Sequence, residues 1–266
     1  MRIATWNLEH DSKDRKGRIG LQIQQLKKLC PQPDIIILTE TRREVDLSEE
    51  GYAGIFSEGI KPAETCRYER YFTAIWTKFP IKRQLETFDR ETALCVELET
   101  PLGNIAVYGT IITWRDDKGP NGDSPPWLEH HREILRHGDD WYRLRHEIGN
   151  HTPLFVCGDF NQTRDGSKAY CSKGGQSILM LDEQFKRNNL ICLTEENFGE
   201  SGKLSPDPKK GYPRNNIDHI CVTKDAFEVT DVGAWDHFEE SGMFLSDHNG
   251  IFVDVAQLDG GTQSAR

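Results

Sequence analysis

No stretch of this 266-residue chain stays apolar for the roughly 20 residues that a bilayer-crossing helix needs. No Cys-x-x-Cys arrangement occurs among its seven cysteines, Cys30, Cys66, Cys95, Cys157, Cys171, Cys192 and Cys221. An odd number cannot all pair within one chain. Cys95, Cys157, Cys192 and Cys221 lie in apolar runs and read as small buried hydrophobes, which fits a reducing compartment. The N-terminus enters strand-like sequence directly, without a charged leader and apolar segment. The expectation is a soluble, cytoplasmic protein with no membrane span. A dense basic run is also missing, and the formal net charge is −10. That argues against gripping long duplex nucleic acid mainly through phosphate contacts, though net charge does not exclude a local basic groove. No repeat and no linker divides the chain. It reads as one domain over residues 1–256, followed by a Gly/Ser/Gln-rich tail over 257–266 that is expected to fray.

Short apolar segments alternate with two kinds of insertion. Strands are expected at Arg2–Trp6, Asp34–Thr39, Tyr71–Thr77, Leu94–Glu99, Asn104–Tyr108, Leu154–Cys157, Ile217–Val222 and Ile251–Val255. Ile35 to Leu38 is continuously apolar, as in a strand covered on both faces. Ile19, Ile23, Leu26 and Cys30 recur at helical spacing from Gly17 to Cys30, and Pro31 ends that helix. Ile178, Leu181 and Phe185 mark a second amphipathic helix over Ser177–Asn189. A polar helix is expected over roughly Pro126–Ile148, inside an insertion from Trp114 to Asn150. Glu195 to Arg214 is a long Gly/Pro/Lys loop. Loops of this length in a compact domain are usually functional or mobile.

The acids and amides fall at telling places. Asn7 follows Ile3-Ala4-Thr5-Trp6, and Glu40 follows Ile35 to Thr39. Asp159 and Asn161 follow Leu154 to Gly158. Asp218 sits inside Asn216-Ile217-Asp218-His219-Ile220, and Asp247-His248 precedes Ile251-Phe252-Val253. A carboxylate buried at such a place costs free energy unless it is paired or metal-bound. Five such polar positions across the chain, four of them with a carboxylate, suggest one metal-dependent site at the rim of a sheet. Residues two apart in an extended segment share a side, so Asp159 and Asn161 can face one substrate while Phe160 packs into the core. A carboxylate on one imidazole nitrogen fixes the tautomer and favours the charged ring, which suits Asp218 as the partner of His248. His219 alternates away and reads as packing or surface.

Five pieces carry a family resemblance: Thr5-Trp6-Asn7-Leu8-Glu9, Pro33 to Arg42, Gly158-Asp159-Phe160-Asn161, Asn216-Ile217-Asp218-His219-Ile220 and Ser246-Asp247-His248. In this order, each tied to a strand, they resemble the endonuclease/exonuclease/phosphatase superfamily, over almost the whole chain. The resemblance implies an α/β fold, a four-layer α/β/β/α sandwich of two packed mixed β-sheets with helices outside. It implies divalent-metal-dependent phosphoester hydrolysis, with Mg2+ or Mn2+ as cofactor. Glu40 would be the principal metal ligand, with Asn7 beside it, Asp247 as a second ligand, and Glu9 where some members place a further acid. Asp159 would orient or deprotonate water, Asn161 would hold phosphate, and His248, oriented by Asp218, would meet developing charge.

The chain departs from the pattern at one place. Many members carry a His at the end of the strand corresponding to Asn104–Ile111, and here there is none. Thr110, Tyr108 or Arg115 are the candidates to contact phosphate instead, and Arg42 joins them as a basic residue near the expected mouth. Arg43, Lys209, Lys210 and Arg214 are further basic candidates, although a solvated charged surface is the default reading. His130, His131 and His137 read as solvated residues of the polar helix rather than a zinc site. Trp114, Trp127, Trp141 and Tyr142 either stack on bases or pack the insertion onto the body. The leading expectation is a phosphodiesterase or nuclease acting on nucleic acid. Hydrolysis of a small phosphorylated molecule (nucleotide, inositol phosphate or lipid headgroup) stays open, as does a non-catalytic binding scaffold. Oligomeric state is not legible.

Overall fold

The computed structural model describes residues 1–9, 17–60, 69–149 and 151–258. The expected tail, apart from Gln257 and Leu258, lies outside them, as do Cys66 and Asn150. Along the chain run β1 (Arg2–Asn7), α1 (Arg18–Lys28), β2 (Ile35–Arg42), β3 (Ala53–Phe56), β4 (Arg70–Thr77), β5 (Ile81–Leu85), β6 (Ala93–Thr100) and β7 (Gly103–Ile111). Then follow α2 (Leu128–Ile148), β8 (Leu154–Asp159), α3 (Gln176–Arg187), β9 (Leu190–Cys192), β10 (Asp218–Thr223), β11 (Glu228–Trp235) and β12 (Gly250–Ala256).

The strands form two six-stranded mixed sheets, in the orders β11-β12-β1-β2-β4-β3 and β5-β6-β7-β8-β10-β9. Alternation along each central strand explains how they stack. Ile35 and Ile37 point into a core shared with Val96, Val107, Phe155 and Ile220 of the other sheet. Ile36 and Leu38 point the opposite way, into a cluster with Trp6, Trp76 and Leu26 of α1. In β8, Phe155 and Cys157 face the inter-sheet core, while Leu154 and Val156 pack under Trp141 and Leu144 of α2 and Leu181 and Phe185 of α3. Each such buried aliphatic side chain contributes roughly 1.5–3 kcal/mol. Two apolar faces per sheet therefore demand four layers, with α1 outside one sheet and α2 and α3 outside the other, as expected.

All eight strands expected from the sequence form. The four that were not expected, β3, β5, β9 and β11, are the four sheet edges. The second expected helix and the polar helix appear as α3 and α2, and the first as α1. Cys95, Cys157 and Cys221 are buried, whereas Cys192 is only partly so, and no disulfide joins the described cysteines. Among the described residues no helix is long and apolar enough to cross a membrane.

Topology gathers the polar positions. β1 and β2 are parallel, as are β7 and β8, so Asn7, Glu40 and Asp159 emerge at C-terminal ends on one edge of the sandwich. β10 and β12 run antiparallel to their neighbours β8 and β1. Their starting residues, Asp218 and the segment before Gly250, therefore arrive at the same edge.

Candidate active site

β1 ends in Asn7, whose side chain is fully buried. Its carboxamide oxygen accepts the Glu9 N–H at 2.9 Å, which fixes the amide's orientation. The Nδ2 group then donates to Glu40 Oε1 at 3.1 Å and to Asp159 Oδ2 at 3.0 Å. One amide thus bridges a carboxylate from each sheet. Glu40 is not at the end of its strand, as the sequence suggested. β2 continues to Arg42, and Glu40 leaves the ladder at φ 47° while Thr39 and Thr41 stay paired with Thr73 and Tyr71. A non-glycine residue in the left-handed region costs free energy, and such strain concentrates at functional sites.

Asp159 closes β8 after Gly158, which has φ 136° and lies so close to β7 that a Cβ would sit 2.0 Å from the Thr110 carbonyl oxygen. Asn161, at φ 49°, donates its N–H to Asp159 Oδ1 at 2.8 Å and its amide to Oδ2 at 3.0 Å and to the Ile112 carbonyl at 3.0 Å. Phe160 between them is fully buried, as expected. Burial pushes the Asp159 carboxyl up to about 8; the His248 cation opposes this and Asp218 adds to it.

His248 is held from three sides. Its carbonyl accepts the Trp6 indole N–H at 2.8 Å, and its N–H donates to the Ser246 hydroxyl at 3.0 Å. That hydroxyl donates to the Asn7 carbonyl at 2.6 Å. The imidazole Nδ1 lies 2.6 Å from Asp218 Oδ2. A carboxylate can only accept, so Nδ1 carries a proton and Nε2 faces the cleft, 4.0 Å from Asp159 and 3.8 Å from Asp247. Burial pulls this imidazole's pKa down, but the Asp218, Asp159 and Asp247 charges outweigh it and raise it to about 10.

These groups open onto a cleft of about 840 Å³. Glu40, Asp159, Asn161, Asp247 and His248 line its floor. Trp114, Asp117 and Glu133 of the first insertion and Lys210, Tyr212 and Arg214 of the second long loop also line it. That loop is anchored by Asp207, which accepts from the Lys209 and Lys210 N–H groups and pairs with His237. Asn249, next to His248, ties in the Arg214 carbonyl.

Several candidates stand elsewhere. Glu9 is ion-paired with Arg18 at 2.8 Å and, with Arg42, borders a small pocket behind Glu40 rather than the cleft. Tyr108 and Thr110 are fully buried and do not line the cleft. The Tyr108 hydroxyl meets His137 Nδ1 at 2.9 Å and Thr110 meets Nε2 at 3.3 Å. Arg115 is exposed and pairs with Asp116. The histidines of α2 need correction. His130 and His137 are fully buried rather than solvated. Burial lowers them to about 4 and about 3, so they are neutral packing groups of the helix–sheet interface. His219 is packing, as expected, bonded to the Gln162 carbonyl. Trp141 packs the insertion down, whereas Trp114 is 53% exposed in the cleft. Tyr170, Tyr212, Asp89 and Glu133 also line it. Nothing in their local sequence marked them, because loops, and for Glu133 the docking of α2, bring them in.

The donor set suits a hard divalent cation. Glu40, Asp159 and Asp247 supply carboxylate oxygens beside open space where an ion can keep waters, which fits Mg2+ or Mn2+. Asn7 is a poorer ligand than expected, because its NH2 group, not its oxygen, faces Glu40. Asp159, Asp218 and His248 also lie within 4.8 Å of one another. With Nδ1 occupied by Asp218, that trio is better matched to proton handling.

The family model described as Endonuclease/Exonuclease/phosphatase family matches residues 4–248. No curated protein sequence matches the chain. Solved structures share the fold at low identity. The human Nocturnin catalytic domain with bound sulfate superposes with a TM-score of 0.65 at 21% identity, covering 97% of this chain and 94% of that one. A variant of the 3′ phosphatase NExo from Neisseria, bound to product DNA hairpin, gives 0.61 at 17%, covering 96% and 99%. A humanized D. rerio TDP2 gives 0.61 at 13%, covering 97% and 99%.

Proposed function

The chain belongs to the Endonuclease/Exonuclease/phosphatase family, and on that premise we propose that it is a Mg2+- or Mn2+-dependent phosphoester hydrolase, a phosphodiesterase cleaving nucleic acid by in-line attack of water. The observation that carries this reading is the convergence of Asp159, His248 and Glu40 in one open cleft, with Asn7 bridging the two carboxylates and Asp218 holding His248 from behind. The catalytic unit is taken as residues 1–256.

Asp159 receives the proton of the attacking water. Its oxygens are fixed by the amides of Asn7 and Asn161, so the lone pair toward the cleft keeps one direction. The raised pKa makes it a stronger base once ionised. His248 stays protonated near neutrality and presents Nε2–H to a phosphoryl oxygen as charge develops there, with Asp218 holding the ring. Asn161 positions Asp159 as well as facing the substrate. Glu40 and Asp247 would hold a divalent ion, which would supply Lewis-acid neutralisation of phosphate and leaving-group charge when bound. Lys210 and Arg214 attract the phosphate to this end of the cleft, and Trp114 and Tyr212 offer exposed ring faces for a base.

A second reading is hydrolysis of a small phosphorylated molecule. Asp89, Asp117 and Glu133, which share the cleft with Lys210 and Arg214, favour it, since a long polyanion would run past those carboxylates. The decisive assay compares plasmid, single-stranded oligonucleotide and bis-nitrophenyl phosphate, with Mg2+, with Mn2+ and with chelator. Metal-dependent oligonucleotide cleavage supports the nuclease reading, and cleavage of the chromogenic ester alone supports the second. Cleavage of none, or near-parental turnover in Glu40→Ala or His248→Ala protein, overturns the hydrolase assignment.

A further inference from the structure

We propose that Cys192 and Cys221 form a redox-active dithiol that closes to an intramolecular cross-strand disulfide when a peroxide reaches Cys192. The site lies outside the cleft, on the face of the β9–β10 ladder covered by α3. Cys192 stands directly opposite Cys221 in that ladder. The neighbouring Leu193 N–H donates to the Ile220 carbonyl at 2.8 Å, so the cysteines occupy the non-hydrogen-bonded position, where facing side chains come closest. Both thiols are free, Cys221 fully buried and Cys192 only partly so. Cys192 is therefore the entry point and Cys221 the resolving partner.

The surroundings differ from an ordinary apolar thiol site. His219, two residues before Cys221 and on the same face, lies diagonally across from Cys192 and is fully buried. Its Nε2 is 2.9 Å from the Gln162 carbonyl, which can only accept, so that nitrogen carries the proton. Nδ1 then turns toward Thr194 at 3.2 Å and toward Cys192, ready to accept the thiol's proton. Arg164, its side chain 7% exposed and ion-paired outward with Asp182 and Glu195, is a fixed cation near Cys192. Burial works against a Cys192 thiolate, but the Cys221 thiol, His219 and Arg164 outweigh it and lower the Cys192 thiol, whereas burial and Cys192 raise Cys221. A thiolate beside a cation and next to a resolving cysteine is the arrangement that oxidises selectively and reversibly.

The chemistry balances in two steps. The Cys192 thiolate attacks one oxygen of hydrogen peroxide, the O–O bond breaks, and hydroxide leaves and takes a proton to become water; Cys192 is now a sulfenic acid. The Cys221 sulfur then attacks the Cys192 sulfur, the S–O bond breaks, and a second water leaves with the Cys221 proton. Two thiols are oxidised and one peroxide is reduced.

The test uses the full chain with Cys30, Cys66 and Cys171 replaced by serine, leaving the cysteines at 95, 157, 192 and 221. After mild hydrogen peroxide treatment, the expected result is loss of two titratable thiols, recovered by dithiothreitol, with a Cys192–Cys221 peptide found on mapping. In the same background Cys192→Ser, at a partly exposed position, is expected to lose no thiol. Thermal melting of that variant before oxidation confirms that it is folded. Unchanged thiols in the parent, a lone Cys192 sulfenic or sulfinic acid with Cys221 still free, or a disulfide between two molecules overturns the proposal.

Discussion

Asp218 stands directly across the β8–β10 ladder from Asp159, and the His248 imidazole is set against both, 2.6 Å from the first carboxylate and 4.0 Å from the second. Two buried acids side by side repel, and the His248 cation offsets only part of that cost, since burial and Asp218 still hold the Asp159 carboxyl up to about 8. The same arrangement gives them different work. Asp218 is committed to Nδ1, and Asp159 is left to the cleft.

Asp218→Asn is expected to lower turnover roughly 10²- to 10⁴-fold, the range for a misdirected acid–base group. It should also pull the His248 pKa down from about 10, because the largest charge raising it is gone. The alkaline limb of the rate profile then moves to lower pH. An unmoved limb, measured from pH 6 to 10 at saturating metal, would count against His248 acting as a cation.

Stability should fall on both sides of neutrality for opposite reasons. His137 and His130 have folded pKa values of about 3 and about 4, below the unfolded value of about 6.5. Their contribution is present above pH 6.5 and is lost as pH falls, by up to about 1.4 kcal/mol per unit for each group. His248 is raised, so its contribution is present below pH 6.5 and is lost as pH rises toward 10. Denaturant melts across pH should show His137→Asn flattening the acid slope and His248→Gln flattening the alkaline one. Slopes identical to the parent would remove these assignments.

Gly158→Ala is expected to destabilise by roughly 3 kcal/mol or more, since a methyl group would meet the Thr110 carbonyl oxygen on the paired strand at a φ that side chains avoid. For a chain of this size that is a drop of about 6 °C or more in Tm. Differential scanning calorimetry measures it. A shift within 2 °C or so of the parent would mean the β7–β8 ladder yields easily there.

Trp114→Ala should leave the fold intact, because the ring is half exposed. If a base stacks on it, KM for an oligonucleotide rises by roughly 5- to 150-fold, matching about 1–3 kcal/mol per stacked base. KM for an alkyl phosphodiester without a ring should stay put. Equal effects on both substrates would argue that Trp114 shapes the wall and stacks on nothing.

The sequence by itself determined the eight central strands and the three helices, because burial on one or both faces leaves a period of two or 3.6 that can be read locally. It also singled out Asn7, Glu40, Asp159, Asn161, Asp218, Asp247 and His248, because polar groups beside apolar runs stand out, although Glu40 lies inside β2 rather than at its end. The four edge strands stayed hidden. Ile81–Leu85 is exposed at all but its last residue and Glu228–Trp235 over its first half, so neither carries the apolar signature of a covered strand. Tertiary structure alone decided what depends on neighbours. The polar helix buries His130 and His137 because α2 lies across β7, a contact no periodicity within the helix encodes. Asn7 turns its NH2 group toward Glu40 because the Glu9 backbone claims its oxygen. Trp114, Tyr170 and Tyr212 reach the cleft on loops, whose paths are set by tertiary anchors such as Asp207 and Asn249 rather than by local preference.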